Sequence, residues 1–212
     1  MLKKLLILSI IINAIFGWNV IKNKIPVYTG YKSENYEIKT GLFDMCEIKE
    51  ADIVMFGSSI IQNANWNELL NNKNIINRGI GGDTTEGLRS RINQVIELKP
   101  KTVVIMSGIN DVMRGRPIDN ILTDYFSILE TLKSNGIKPI VFAILERPNK
   151  NNNKVKKVNQ KLQEYCHAKN IIIVDINKWM NKDCFVSDNL HLTDKGYKVW
   201  AQHLKGYLKD VK

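Results

Sequence analysis

The 212-residue chain holds three cysteines, Cys46, Cys166 and Cys184. They lie too far apart in sequence for close metal-ligand spacing, and an odd number makes no disulfide framework. Three buried free thiols are the expectation, with one disulfide and a spare thiol as the alternative, and the redox compartment stays open. No Cys/His zinc-finger spacing and no glycine-rich nucleotide loop occurs, so nothing directs the chain to nucleic acid. Internal repeats and low-complexity linkers are also missing, which argues for a single domain with one substantial core. No uncharged apolar stretch reaches the ~20 residues of a comfortable bilayer span.

The nearest approach to such a span is at the start, where Lys3 and Lys4 precede the uncharged run from Leu5 to Phe16. This basic-then-apolar order is that of an export signal. Continued through Gly17, Trp18, Val20 and Ile21, with Lys22 and Lys24 beyond, it would make a short membrane anchor instead; a buried N-terminal element is the plainest alternative. No cysteine follows the run to accept a lipid. Residues 1–21 are therefore expected to be a signal peptide or anchor, 22–50 an irregular approach packed on the domain, and 51–212 the domain itself. The expected location is periplasmic, extracellular or anchored facing the cell envelope.

What the chain does carry is an ordinary globular composition, 44% hydrophobic and 25% charged, with 31 lysines and arginines against 21 acids for a net charge of +10. A lysine-rich solvated surface explains that excess, with anionic polymers or an anionic membrane surface as alternatives. No feature of the sequence points to a particular oligomeric state.

From Asp52 onward short apolar runs alternate with helical periods. Ile53–Phe56, Ile75–Ile76, Thr102–Met106, Ile140–Leu145 and Ile171–Val174 read as strands buried on both faces of a parallel sheet. Between them Leu88, Ile92 and Val95, then Leu122 to Leu132, then Val155 to Tyr165 place apolar stripes on helices, and Tyr197, Trp200, Ala201, Leu204 and Leu208 close the chain with another. Asp83 with Glu86 suggests a capping box for the first helix, and Gly136 with Pro139 an end to the second. The alternation predicts an α/β fold, a three-layer α/β/α sandwich with a five-stranded parallel sheet.

Reactive groups in such sheets belong beyond the carboxyl ends of the strands. Ser59 follows the first strand and Gly57, with Ser58 as its rival and a plain helix cap as the bland reading. The segment Asn77 to Thr85 contains three glycines; Gly82 can offer an unobstructed N–H, although a flexible loop or phosphate nest has the same composition. Asn110 brings an amide donor without a titrating group, or simply forms a turn. Asp111 is expected to order its loop. Asp188 and His191 stand three residues apart, close enough for the carboxylate to accept from Nδ1 while Nε2 faces a serine, with a turn contact or part of a metal site as alternatives.

Taken in order, Gly57-Ser58-Ser59-Ile60, Asn77 to Thr85, Gly108-Ile109-Asn110-Asp111 and Asp188-Asn189-Leu190-His191 resemble the four blocks of the SGNH hydrolase superfamily, the GDSL-type esterases and lipases. The similarity runs from about Asp52 to Leu208 and is nearest to bacterial members related to platelet-activating-factor acetylhydrolases and carbohydrate O-acetylesterases. The resemblance implies a flavodoxin-like sheet, Ser59 as nucleophile, His191 as base, Asp188 as its acid partner, Gly82 and Asn110 as oxyanion donors, and no metal or organic cofactor. Ser58 stands where the family often has aspartate, which puts efficiency and substrate choice in question. The implied substrate is an acyl ester, foremost an O-acetyl group on carbohydrate or cell-envelope glycan. The alternatives are a lysophospholipid or lipid esterase, a general short-acyl esterase or thioesterase, an O-acyltransferase, and a non-catalytic glycan-binding module. Little room for a lid between the third and last blocks favours a shallow site.

Overall fold

The computed structural model describes residues 32–208. The basic-apolar leader and residues 22–31 lie outside the described residues.

Five strands, β1 (Ile53–Gly57), β2 (Ile75–Gly79), β3 (Thr102–Met106), β4 (Lys138–Phe142) and β5 (Ile172–Val174), form one sheet in the order β2-β1-β3-β4-β5. Every neighbouring pair is parallel. The apolar runs are continuous because both faces are covered. Val54, Phe56, Val103, Ile105 and Val141 point into one core, while Ile53, Met55, Val104, Met106, Ile140 and Phe142 point into the other.

The first core is closed by α4 (Thr85–Ser90), α5 (Asn93–Ile96), α7 (Ile118–Ser134) and α8 (Asn153–Ala168), through Leu88, Val95, Tyr125, Leu129, Val158 and Leu162. The second is closed by α2 (Ser59–Gln62), α3 (Trp66–Leu70) and α9 (Asp194–Tyr207), where Trp66 and Trp200 meet edge-on with ring centroids 4.9 Å apart. The helix α6 (Ile109–Met113) follows β3 directly. The three-layer sandwich expected from the alternation of periods is the fold observed, with the reversal of strand order falling between β1 and β3, where open α/β sheets place their ligands.

Several local expectations are corrected. Residues 34–44, expected to be irregular, form the helix α1 (Glu34–Asp44), capped by the Ser33 hydroxyl accepting from the Tyr36 N–H. Its Tyr36 hydroxyl donates to the Gly87 carbonyl at 3.0 Å, and Asn35 donates to the Gly81 carbonyl. Of the stripe Leu88–Ile92–Val95, Leu88 lies in α4 and Val95 in α5, two short helices with a break at Arg91 and Ile92, where the Arg91 guanidinium turns inward. Thr84, not Asp83, caps α4, accepting from the Gly87 N–H; the Asp83 carboxylate is taken by Arg91. Strand β2 continues through Asn77 to Gly79, so those residues are sheet rather than loop.

Pro139 lies inside β4 opposite Val103, and pairing with β5 begins only at Ile140. Because the Lys138 N–H faces β3, the missing N–H of Pro139 falls on the side where no ladder bond is yet required. Beyond Phe142 the buried chain leaves the sheet, since the Asn159 side chain both accepts from the Ile144 N–H and donates to its carbonyl. Cys166 and Cys184 are free and buried; Cys46 is free but only half-buried.

Candidate active site

The end of β1 is built for close approach. A Cβ on Gly57 would stand 2.3 Å from the Met106 carbonyl oxygen and 2.5 Å from Ile61 Cγ1, so only glycine lets the chain turn tightly from β1 into α2. Ser58 is buried at the cap position, and Ser59 opens the helix with its side chain partly exposed. As the first helical residue, Ser59 carries an N–H that the helix cannot satisfy.

On the far side, the chain after β5 forms a narrow antiparallel contact between Phe185 and Leu192, reinforced by the Val186 N–H donating to the His191 carbonyl. Within that turn the Asp188 Oδ1 accepts from the N–H groups of Leu190 and His191, while Oδ2 lies 2.6 Å from His191 Nδ1. His191 Nε2 lies 2.9 Å from Ser59 Oγ. The expected serine, histidine and aspartate are thus one continuous chain of hydrogen bonds, reaching from residue 188 to a serine more than a hundred positions earlier.

Burial would raise the Asp188 carboxyl, but the bond from the His191 ring and the two backbone N–H groups outweigh it and hold the group at about 2. Asp188 is therefore a fixed anion facing the imidazole at every ordinary pH. The side chains of His191 and Asp188 remain 33% and 45% exposed, so the site opens on the surface instead of lying in a deep tunnel.

The other two expected residues enter from β2 and β3. Gly82 has φ +77°, a left-handed conformation that favours glycine, and its N–H has no hydrogen-bond acceptor among the described residues. Gly81 beside it donates its N–H to Gln62 Oε1 at 2.6 Å, tying the glycine loop to the helix that begins with Ser59. Asn110 sits in α6 and donates one amide hydrogen to the Asp83 carbonyl at 2.8 Å. Its amide has a second hydrogen to give. Asp111 is fully buried, accepting from the Thr85 N–H and hydroxyl and from Arg116, so it orders the loop. Burial is the leading influence on its carboxyl, which is pushed up despite those donors.

The structure also shows residues that the sequence reading passed over. Arg91 pairs with Asp83 at 2.8 Å through Nη2 and 2.9 Å through Nε, with both side chains buried. Arg114 donates to the Gly82 carbonyl, and Arg147 donates to the Asn189 carbonyl behind the histidine turn. Asn77 spreads its amide over the carbonyls of Ile61 and Ala64. For Arg91 a signal existed: it stands three residues after Leu88, on the apolar stripe itself, where a charge must have a buried partner. Arg147 carries no such signal. Among the described residues no group of three or more His, Cys, Asp or Glu side chains gathers where it could hold a metal ion, and no helix is long and apolar enough to cross a membrane.

Residues 55–199 match the model of the GDSL-like lipase/acylhydrolase family. Over 170 residues the chain is 30% identical to the platelet-activating factor acetylhydrolase IB subunit alpha2 of Rattus norvegicus, covering 72% of this chain and 73% of that one. The N-acylneuraminate cytidylyltransferase of Streptococcus agalactiae is 26% identical over 148 residues, 66% of this chain but 36% of the relative, so the chain spans about a third of that enzyme's length. Among solved structures, a GDSL-like lipase from Bacteroides thetaiotaomicron superposes with a TM-score of 0.69 at 25% identity, covering 84% of this chain and 98% of that one. The matched segment spans all four site loops, from the strand before Ser59 to the helix after His191, and the chain belongs to the GDSL-like lipase/acylhydrolase family of ester-cleaving hydrolases.

Proposed function

We propose that the protein hydrolyses short acyl esters, foremost O-acetyl groups on carbohydrate or cell-envelope glycan, through an acyl-serine intermediate. The observation that carries the chemistry is the Ser59–His191–Asp188 chain of hydrogen bonds at an open surface. His191 Nε2 takes the proton of Ser59 as Oγ attacks the ester carbonyl, and Asp188 fixes the imidazole tautomer and stabilises the imidazolium. The N–H groups of Ser59 and Gly82 and the second amide hydrogen of Asn110 receive the negative oxygen. His191 then protonates the departing alcohol. Water enters, gives its proton to the same nitrogen, attacks the acyl carbon and releases the acid, restoring Ser59.

The preference for a small acyl group rests on the exposure of His191 and Asp188, which gives a long chain little apolar wall to bury against. The acetylhydrolase name of the rat relative agrees with an acetyl ester. The streptococcal relative is named for a sugar, which supports a glycan as the alcohol side. The basic-then-apolar order of residues 3–16 supports an exported or envelope-anchored enzyme that meets such a glycan. Fractionation of the untagged protein with mass analysis of its N-terminus tests this; intact protein found only in the cytoplasm overturns it.

A second reading has the same rat relative in its favour: an acetyl ester carried on a lipid. Purified wild type and Ser59→Ala are to be compared on acetylated glycans, lysophospholipid and a graded acyl-ester series, following both acid release and transfer to added alcohol. Acetate release from glycan, absent in Ser59→Ala, is the expected result. Turnover rising steadily with chain length, with acetylated glycan untouched, establishes the lipid reading instead.

A further inference from the structure

Beneath the glycine loop lies a charge pair that the chemistry described so far does not use. Arg91 is 3% exposed and Asp83 1%. The Arg91 guanidinium binds Asp83 through two nitrogens, donates from Nη1 to the Arg78 carbonyl at 2.8 Å and from Nη2 to the Gly57 carbonyl at 3.2 Å, and stacks on Phe56 with Cζ 4.6 Å from the ring centroid. One side chain therefore joins the carboxyl ends of β1 and β2 to the loop between β2 and α4. Gly57 lies two residues before Ser59, Asp83 is bonded to Gly82, and the Asp83 carbonyl holds the Asn110 amide. Each of the three oxyanion donors is within a step or two of this pair.

We propose that Asp83 and Arg91 are positioning residues that set the mutual geometry of the Ser59, Gly82 and Asn110 oxyanion donors. This rests on the catalytic assignment above. Neither residue touches substrate. The guanidinium meets one carboxylate oxygen, Oδ2, with both Nε and Nη2 while Oδ1 accepts from the Thr84 N–H, so the carboxylate is held in direction as well as distance, which a single point charge does not achieve. Donors must lie where the oxyanion forms, not where the ground-state carbonyl sits, so loosening the pair lowers kcat and leaves KM nearly unchanged.

The pair also has a proton of its own to lose or gain. Burial raises the Asp83 carboxyl to about 6, against the attraction and bonds of Arg91 and the Thr84 N–H. The other charged or titratable groups around it are Asp111 from α6, Arg78 from β2 beside Arg91, Tyr36 from α1 facing Arg91, and Cys46 facing Arg78. Below about pH 6 Asp83 takes up a proton and its hold on Arg91 weakens.

The test uses the full chain on a small acetyl ester. Arg91→Lys keeps a cation but loses the fork, and Asp83→Asn keeps the shape but loses the charge. Each is expected to lower kcat on the order of 10- to 100-fold with KM within about twofold, and to slow phosphonylation of Ser59 in parallel. The double variant should lose no more than the worse single one, because both act through one contact. In wild type kcat should fall as pH drops through about 6, where Asp83 takes up its proton, by a factor that is missing from the profile of Asp83→Asn. Folded variants with wild-type kcat overturn the proposal; so does a wild-type kcat that stays level as pH drops through about 6, a measurement that stands even where the variants fail to fold. Ser59→Ala run alongside separates the two ideas: if it is inert while Arg91→Lys is normal, only the positioning role falls, and if it retains turnover, the catalytic assignment falls first.

Discussion

Two aspartates, Asp188 at the rim and Asp83 beneath the glycine loop, have cationic or hydrogen-donating partners at nearly the same distance and opposite responses to them. Asp188 is almost half exposed and is held at about 2, because water and three donors stabilise its charge. Asp83 is buried, and although Arg91 grips it with two nitrogens its carboxyl stands at about 6, because loss of water costs more than the pair returns. The partner therefore does not decide a carboxylate's behaviour; the solvent removed to reach that partner does. The rim suits groups that must react, and the base suits groups that must hold still.

The sharpest way to separate the two regions is to remove one group from each. Ser59→Ala at the rim should abolish ester hydrolysis, a loss of roughly a million-fold in kcat where the nucleophile is essential, while thermal unfolding stays near wild type because the side chain is partly exposed and, among the described residues, bonded only to His191. Wild-type turnover by Ser59→Ala, or a covalent adduct found on Ser58, would move the nucleophile. Arg91→Met in the base should do the reverse in kind, destabilising the fold by about 3–5 kcal/mol because Asp83 is left buried without its partner. Urea unfolding of both variants reads the difference; a destabilisation under 1 kcal/mol for Arg91→Met would show that the pair gives the fold nothing net.

Asn110→Ala lies where the regions meet, since its amide binds the Asp83 carbonyl and serves the oxyanion. Its kcat should fall by about 2.7–4 kcal/mol with little change in KM. An equal rise in KM with kcat intact would assign it to ground-state binding.

The pH dependence of stability should split the aspartates by sign. Asp83 has a raised folded value, so its contribution is complete below the unfolded value near 4 and is lost as pH rises through about 6. Relative to Asp83→Asn, wild type should therefore gain stability as pH falls from about 6 to 4. Asp188 has a lowered value, so its contribution is present above about 4 and lost as pH falls toward about 2. Wild type should lose ground to Asp188→Asn over that lower range, by a small amount because the exposed pair is screened by water. The same sign for both variants in thermal melts across pH 2–7 would break the comparison. The smallest effect belongs to Ser58→Ala, expected to keep substantial activity because the Ser58 side chain makes no capping bond to α2; a loss comparable to that of Ser59→Ala would give Ser58 a direct part.

The sequence by itself determined the sheet, because strands covered on both faces must be largely apolar and Val103–Met106 is apolar at every position. It also placed Ser59, Gly82, Asn110, Asp188 and His191 in loops following strands, as local chemistry and the order of four short blocks allow. It missed the helix at 34–44, whose weakly amphipathic face is held by Tyr36 and Asn35 reaching residues far along the chain, and it misread Asp83 as a cap because an aspartate before a helix has that look whether or not its carboxylate is turned inward. Arg147 was beyond it because it acts on a backbone carbonyl of a distant segment, and a carbonyl leaves no mark in the sequence; Arg91 was marked by its place on the apolar stripe, but not the Arg78 and Gly57 carbonyls that it binds. Only the tertiary structure could bring His191 to 2.9 Å from Ser59, since residues 132 positions apart meet through the strand order and not through any local preference. Local energetics write themselves into residue types; contacts made through backbone and burial exist only once the chain has closed around them.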